Sequence, residues 1–134
     1  MNIITSNTQQ SISLGGVDTW MTLCSTMRYY LSDRKNELSH AFSLIESGHL
    51  SNQNCLMAAR EFNLVRDALS QIDPSKIIYD DAHPDRQPPW GNNISPVITS
   101  CSNYLTSGSG DDLLAEIVKI LTYAAYTNTD VDLI

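Results

Sequence analysis

Basic residues are scarce in this sequence: eight Lys and Arg stand against fifteen Asp and Glu, for a net charge of −7. A surface poor in cations repels phosphates, which argues against direct nucleic-acid binding and against attachment to an anionic membrane. Long apolar runs are missing too. No stretch approaches the roughly 18 apolar residues of a membrane span. The opening MNIITSNTQQ lacks the basic-then-apolar order of a secretory signal. Cysteine is limited to Cys24, Cys55 and Cys101, an odd number without paired spacing, which reads as reduced thiols in a cytoplasm. Glycine-rich phosphate loops, a G-x-S-x-G elbow, a C-x-x-C pair and an H-E-x-x-H helix are all absent, which sets aside the enzyme classes built on them.

What is present is enough for one domain over residues 1–134. The chain is 42% hydrophobic, and at this length folding buries roughly two-thirds of the unfolded surface, so no disulfide or metal staple is needed. Charged residues make up 17%, below the usual share of about 25%, unlike a disordered acidic tail. The charge is unevenly placed. Residues 1–66 hold five acids and five bases, while residues 67–134 hold ten acids against Lys76, Arg86 and Lys119, so the second half carries the whole −7. Such a distribution favours a basic macromolecular partner, whose capture a complementary field would speed. The plainer alternative, acidity serving solubility alone, stays open at this point.

Hydrophobic spacing gives the architecture. Val17, Trp20, Cys24, Met27 and Leu31 form one helical stripe, with Asp18 placed to cap it. Leu38, Phe42 and Ile45 suggest a shorter helix stopped at Gly48. Ser51 is a candidate N-cap for the clearest helix, where Cys55, Ala58, Phe62, Val65, Leu69 and Ile72 keep a 3-4-3-4-3 rhythm before Pro74. That stripe is too short for a coiled-coil seam and predicts packing within the domain. Lys76–Tyr79 reads as a short strand, and Ser95-Pro96 as the start of a short helix carrying Val97, Cys101 and Tyr104. Ser109-Gly110-Asp111-Asp112 resembles a capping box before a broad apolar helix from Leu113 to Ala125. Asn2–Thr5 and Val131–Ile134 suit paired terminal strands. The expected fold is α+β and predominantly helical, with about four to five helices around one core and a small sheet of short strands.

From Asp80 to Pro96 no periodicity survives, and four of the five prolines fall there. A loop this long in a small domain is uncommon and usually functional or disordered. Within it, Asp80, Asp81, His83 and Asp85 could hold a hard cation or supply an acid and a base, as in a small metal-dependent hydrolase. The spacing matches no ligand loop, and a solvated or partner-recognising acidic loop is the preferred reading. His40 and His49 are too far apart to share one helical face as ligands, and Cys24 and Cys55 sit on apolar stripes as small hydrophobes. No cofactor is called for.

Gln87-Pro88-Pro89-Trp90-Gly91-Asn92-Asn93-Ile94-Ser95-Pro96 is the most distinctive stretch. With Asn103–Ser107, Asp111-Asp112-Leu113-Leu114 and the Pro74–Asp80 run, it resembles the family-70 immunity proteins of bacterial polymorphic toxin systems, which include contact-dependent growth inhibition. The likeness covers roughly residues 50 to 134, and more weakly the first helices. It departs from the family pattern at Asn92 and in the Ser107–Gly110 turn, so no contact residue is carried over. The resemblance implies a non-enzymatic inhibitor that binds the C-terminal domain of a cognate toxin. Joined to the charge argument, it makes a basic nuclease the expected toxin, bound by a monomer one to one. Plugging the active site and binding beside it both stay open. Expected contacts are Asp80, Asp81 and Asp85, a second patch at Asp111 and Asp112, and Trp90, which serves either as partner anchor or, preferred, as core closure.

Overall fold

The computed structural model describes all residues, 1–134. A short hairpin opens the chain, β1 (Asn2–Thr5) and β2 (Ser11–Ser13), followed by α1 (Val17–Leu31), α2 (Ser39–Ser47), β3 (His49–Leu50), α3 (Asn52–Leu69), α4 (Leu113–Thr127) and β4 (Val131–Leu133). The four strands form one antiparallel sheet in the order β2-β1-β4-β3, so the last strand is clasped between the first and a piece from mid-chain. This is the expected α+β fold, with four α-helices.

Register follows from alternation. Ile3 lies opposite both Ile12 and Leu133, and Val131 opposite both Thr5 and Leu50, which puts these side chains on one face against the helices. The other face carries Ile4, Asp132 and His49, where His49 Nδ1 lies 2.7 Å from Asp132 Oδ1. Below the sheet, α3 packs most extensively on α4 and also receives α2. The spacing-derived stripes supply the core: Trp20, Cys24, Met27 and Leu31 from α1, Cys55, Ala58, Phe62, Val65 and Leu69 from α3, and Leu113, Ile117, Ile120, Leu121 and Ala124 from α4. Val17 is the exception and stays exposed. No helix is long and apolar enough to cross a membrane.

Helix ends show what spacing alone misses. Gly48 does end α2 in the left-handed conformation, φ 72°. Ser51 is the N-cap residue of α3, yet the free amide of Asn52 is taken by Asp130 Oδ1 at 2.8 Å, from the far end of the chain. Asp18 does not cap α1, whose N-cap is Gly16. The start of α2 uses a carboxylate from another helix. Glu61, buried in α3, accepts from the backbone amides of His40 (2.7 Å) and Ala41 (3.0 Å) through Oε1, and Oε2 lies 2.6 Å from His40 Nδ1. His40 is therefore a satisfied histidine tying α2 to α3.

Three local expectations fail. Lys76–Tyr79 is not a strand: Pro74–Lys76 forms a 3-10 turn capped by Asp73, and both backbone groups of Ile78 are taken by the Thr26 hydroxyl. Residues 95–104 are not helical. Asn103 Oδ1 accepts from the amides of Thr99 and Ser100, its Nδ2 donates to the Val97 carbonyl, and Ser100 Oγ accepts from Ser102 N, so side chains outcompete the helix for the backbone. Nor does Ser109 open α4 as a capping box. Residues 105–113 make a tight hairpin-like turn, with Thr106 bridged to Asp112, and Asp112 itself caps the helix by accepting from Ala115 N at 3.3 Å.

Removing the Glu61 carboxylate strands the buried amide of Ala41 and the half-buried one of His40. Charge-assisted hydrogen bonds contribute about 1.5–3 kcal/mol each and an orphaned buried group costs about as much, so Glu61→Ala is expected to lose about 2–4 kcal/mol of stability in urea denaturation. Glu61→Gln, which keeps one acceptor oxygen for both amides, loses less.

Candidate functional site: the braced loop and its aromatic cavity

The segment between α3 and α4 has little regular structure, so its path is set by what α1 offers it. Four side chains of α1 hold it in order. Tyr30 Oη donates to the Lys76 carbonyl at 2.7 Å, Thr26 brackets Ile78, Asp18 accepts from Tyr79 Oη at 2.6 Å, and Arg28 makes a two-pronged ion pair with Asp81 at 3.0 and 3.1 Å. These four positions run along α1 from its second residue to its fourteenth, and the hydrophobic count gave none of them a role in holding the loop.

This bracing decides the state of the expected acids. The Arg28 guanidinium holds the Asp81 carboxyl below the usual carboxylate range, against an opposing push from burial. Asp80 is only 16% exposed at its side chain. Burial opposes its ionisation, but the Ala82 amide, His83 and Arg86 outweigh that and hold its carboxyl low as well. Arg86 also lies 5.3 Å over the Tyr79 ring. Asp80 and Asp81 are thus neutralised within the molecule, whereas Asp85, Asp111 and Asp112 take part in no ion pair. Asp111 accepts only a long contact from Ser109 Oγ, 3.4 Å, and Asp112 faces the first amides of α4.

Trp90 ties the loop to the stretch that precedes α4. Its ring stands edge-on to Tyr79 at 6.3 Å, beside Asp80, and its Nε1–H donates to Tyr104 Oη at 2.8 Å, in the strand-like stretch whose Thr106 pairs with Asp112. Trp90 remains 45% exposed; it is pinned by its polar end with part of its ring in solvent. Trp90, Ile94, Ile98, Tyr104, Leu105, Thr106, Asn93 and Thr19 line a mainly apolar cavity of about 210 Å³ that opens to solvent. Asp18 and Tyr104 were invisible as site residues: Asp18 looked like a helix cap, and Tyr104 like one face of a helix that does not form. The turn that carries Asp111 and Asp112 is seated on β2 through Gly108, whose amide donates to the Ser13 carbonyl at 2.6 Å and where a Cβ would fall 2.7 Å from Ser13 Oγ.

For catalysis the same geometry offers little. Asp81 is committed to Arg28, which leaves Asp80 and His83 as a pair, and no group of three His, Cys, Asp or Glu side chains is gathered to hold a metal ion. The three thiols are buried and unreactive in character: burial pushes Cys24 and Cys55 up to about 11 and Cys101 up to about 12.

A small α+β domain whose one long loop is braced against a helix and gathered around an aromatic cavity is what fold and site define. A family model described as immunity protein 70 matches residues 5–133, nearly the whole chain and well beyond the stretch that carries the sequence resemblance. The chain belongs to the immunity protein 70 family. Its role is accordingly that of an immunity protein against a toxin. Among curated proteins and among solved structures nothing matches it.

The Arg28–Asp81 pair gives a pH signature. Because the folded Asp81 carboxyl is held low, its stabilisation is complete above about pH 4 and is lost as pH falls through the lowered value. Arg28→Gln is expected to cost about 0.5–1 kcal/mol at pH 7, the upper range for a partly exposed pair. The difference from wild type in urea denaturation should close as pH is taken down toward 2.

Proposed function

We propose that the protein neutralises a nuclease toxin of a contact-dependent inhibition system, in the cytoplasm, by setting an acidic surface against the toxin's basic substrate cleft. The single observation that carries this reading is the distribution of charge: all of the net −7 belongs to the second half of the chain, the half that forms the braced loop and the Ser107–Gly110 turn. A nuclease cleft must be cationic to hold phosphates, so an inhibitor rich in carboxylates occupies it as a phosphate substitute and is drawn in by the complementary field.

Within that surface the aspartates divide the labour. Asp85, Asp111 and Asp112 have no cationic partner in the free protein and are the ones to meet toxin Lys or Arg in charge-assisted hydrogen bonds. Asp80 and Asp81 serve the contact indirectly, since their ion pairs fix the course of the loop. Trp90, with part of its ring in solvent, serves as the aromatic contact of that surface. One monomer binds one toxin domain, without cofactor or metal. The four-sided bracing of residues 76–81 supports a preformed surface, which spares the ordering cost that a floppy loop would bring to binding.

Binding to the C-terminal domain of the toxin encoded beside it is the test. Affinity for the wild type should fall steeply with added salt. The triple variant Asp85→Asn, Asp111→Asn, Asp112→Asn should bind at least about tenfold more weakly at low salt, as rim charges govern capture, with a flatter salt dependence. Asn caps a helix as well as Asp does, so α4 is retained. Salt-independent binding, unchanged in the triple variant, would overturn the electrostatic mechanism, and a toxin without nuclease activity would overturn the choice of toxin.

A further inference from the structure

The exposed part of Trp90 lies at a cavity, and the two together specify more than an acidic surface. We infer that the cavity beside Trp90 receives one apolar side chain of the toxin, presented from a segment with basic residues on either side. The inference rests on the toxin-binding reading above and supplies its anchor point.

Three features lead to it. The cavity is of about 210 Å³, several times the roughly 30 Å³ a water takes in the liquid. Its walls are chiefly ring and aliphatic carbon from Trp90, Ile94, Ile98, Tyr104 and Leu105. Water held there finds few partners, so an entering hydrocarbon releases it at a gain. Second, the indole N–H of Trp90 is already satisfied by Tyr104, so the ring brings no unmet polar group to a partner. Val97, next in the chain to Ile98, is 77% exposed. Third, the charged residues that adjoin the lining ones are acidic. No Lys or Arg lines the cavity. Asp18 precedes the lining Thr19, Asp112 is bridged to the lining Thr106, and the nearest cation in the loop, Arg86, is spent on Asp80 and Tyr79. An apolar residue flanked by acids would be repelled, whereas one flanked by Lys or Arg satisfies pocket and rim together.

Filling the cavity from within tests it. Ile98→Trp adds bulk at a half-buried lining position, and Asn93→Arg places a cation at the rim on an exposed residue with no hydrogen bond to lose, so at least the second variant keeps the wild-type fold. Both are expected to weaken toxin binding by about thirty-fold or more, the loss of a hot-spot contact. Ile98→Trp should leave the salt dependence of binding as in wild type, because it removes no charge. Wild-type affinity in both variants, with unchanged thermal unfolding, overturns the anchor. If the triple Asp→Asn variant still binds weakly in that case, the acidic surface survives without it. If instead Ile98→Trp weakens binding and the triple variant does not, the anchor stands and the electrostatic reading falls.

Discussion

From Ser70 to Asp112 the chain forms one 3-10 turn and an isolated bridge but no regular helix or strand, so its buried backbone groups must be satisfied by side chains and turns instead of a regular ladder. Unpaired buried amides and carbonyls cost as much as lost hydrogen bonds. The hydroxyl of Thr26, bonded to both the carbonyl and the amide of Ile78, meets this requirement at the point where the segment runs along α1. Tyr30, Arg28 and Asp18 extend the same attachment on either side. Everything the loop presents downstream, from Asp85 to the Trp90 cavity, depends on that fixed course.

The attachment also settles which charges face outward. Acids that look equivalent in the run Asp80-Asp81-Ala82-His83-Pro84-Asp85 acquire different roles once Arg28 and Arg86 take up two of them. An ion pair of this partly exposed kind adds little stability, but it fixes position, and position is what a recognition loop requires. Of the expected contacts, Asp85, Asp111 and Asp112 stay outside any ion pair, the last two beside the turn that Gly108 seats against β2. Trp90, bonded to Tyr104 and edge-on to Tyr79, ties the loop to the stretch that leads into that turn.

Legibility differed by element for physical reasons. Helices α1, α3 and α4 were readable because burial imposes a 3-4 spacing that local sequence must satisfy. The terminal strands were readable because one face is buried, so alternation is enforced. Residues 76–79 and 95–104 misled because β-branched residues and a Ser-Pro start carry local preference only, and that preference yields where a side chain such as Thr26 or Asn103 takes the backbone bonds. The cap of α4 moved from Ser109 to Asp112 for the same reason: the Thr106–Asp112 bridge ties up the intervening backbone.

Composition and periodicity by themselves determined the α+β class, the single core, the concentration of negative charge beyond residue 66 and the family-like string around Trp90, since each is a property of residue type and order along the chain. The tertiary structure alone decided that Glu61 begins α2, that Asp130 begins α3, that Asp81 is spent on Arg28, and that Trp90, Tyr104 and Thr19 share a cavity. Those are relations between residues far apart in sequence. Such pairings are selected by burial and hydrogen-bond satisfaction over the whole folded chain, and no local preference encodes them.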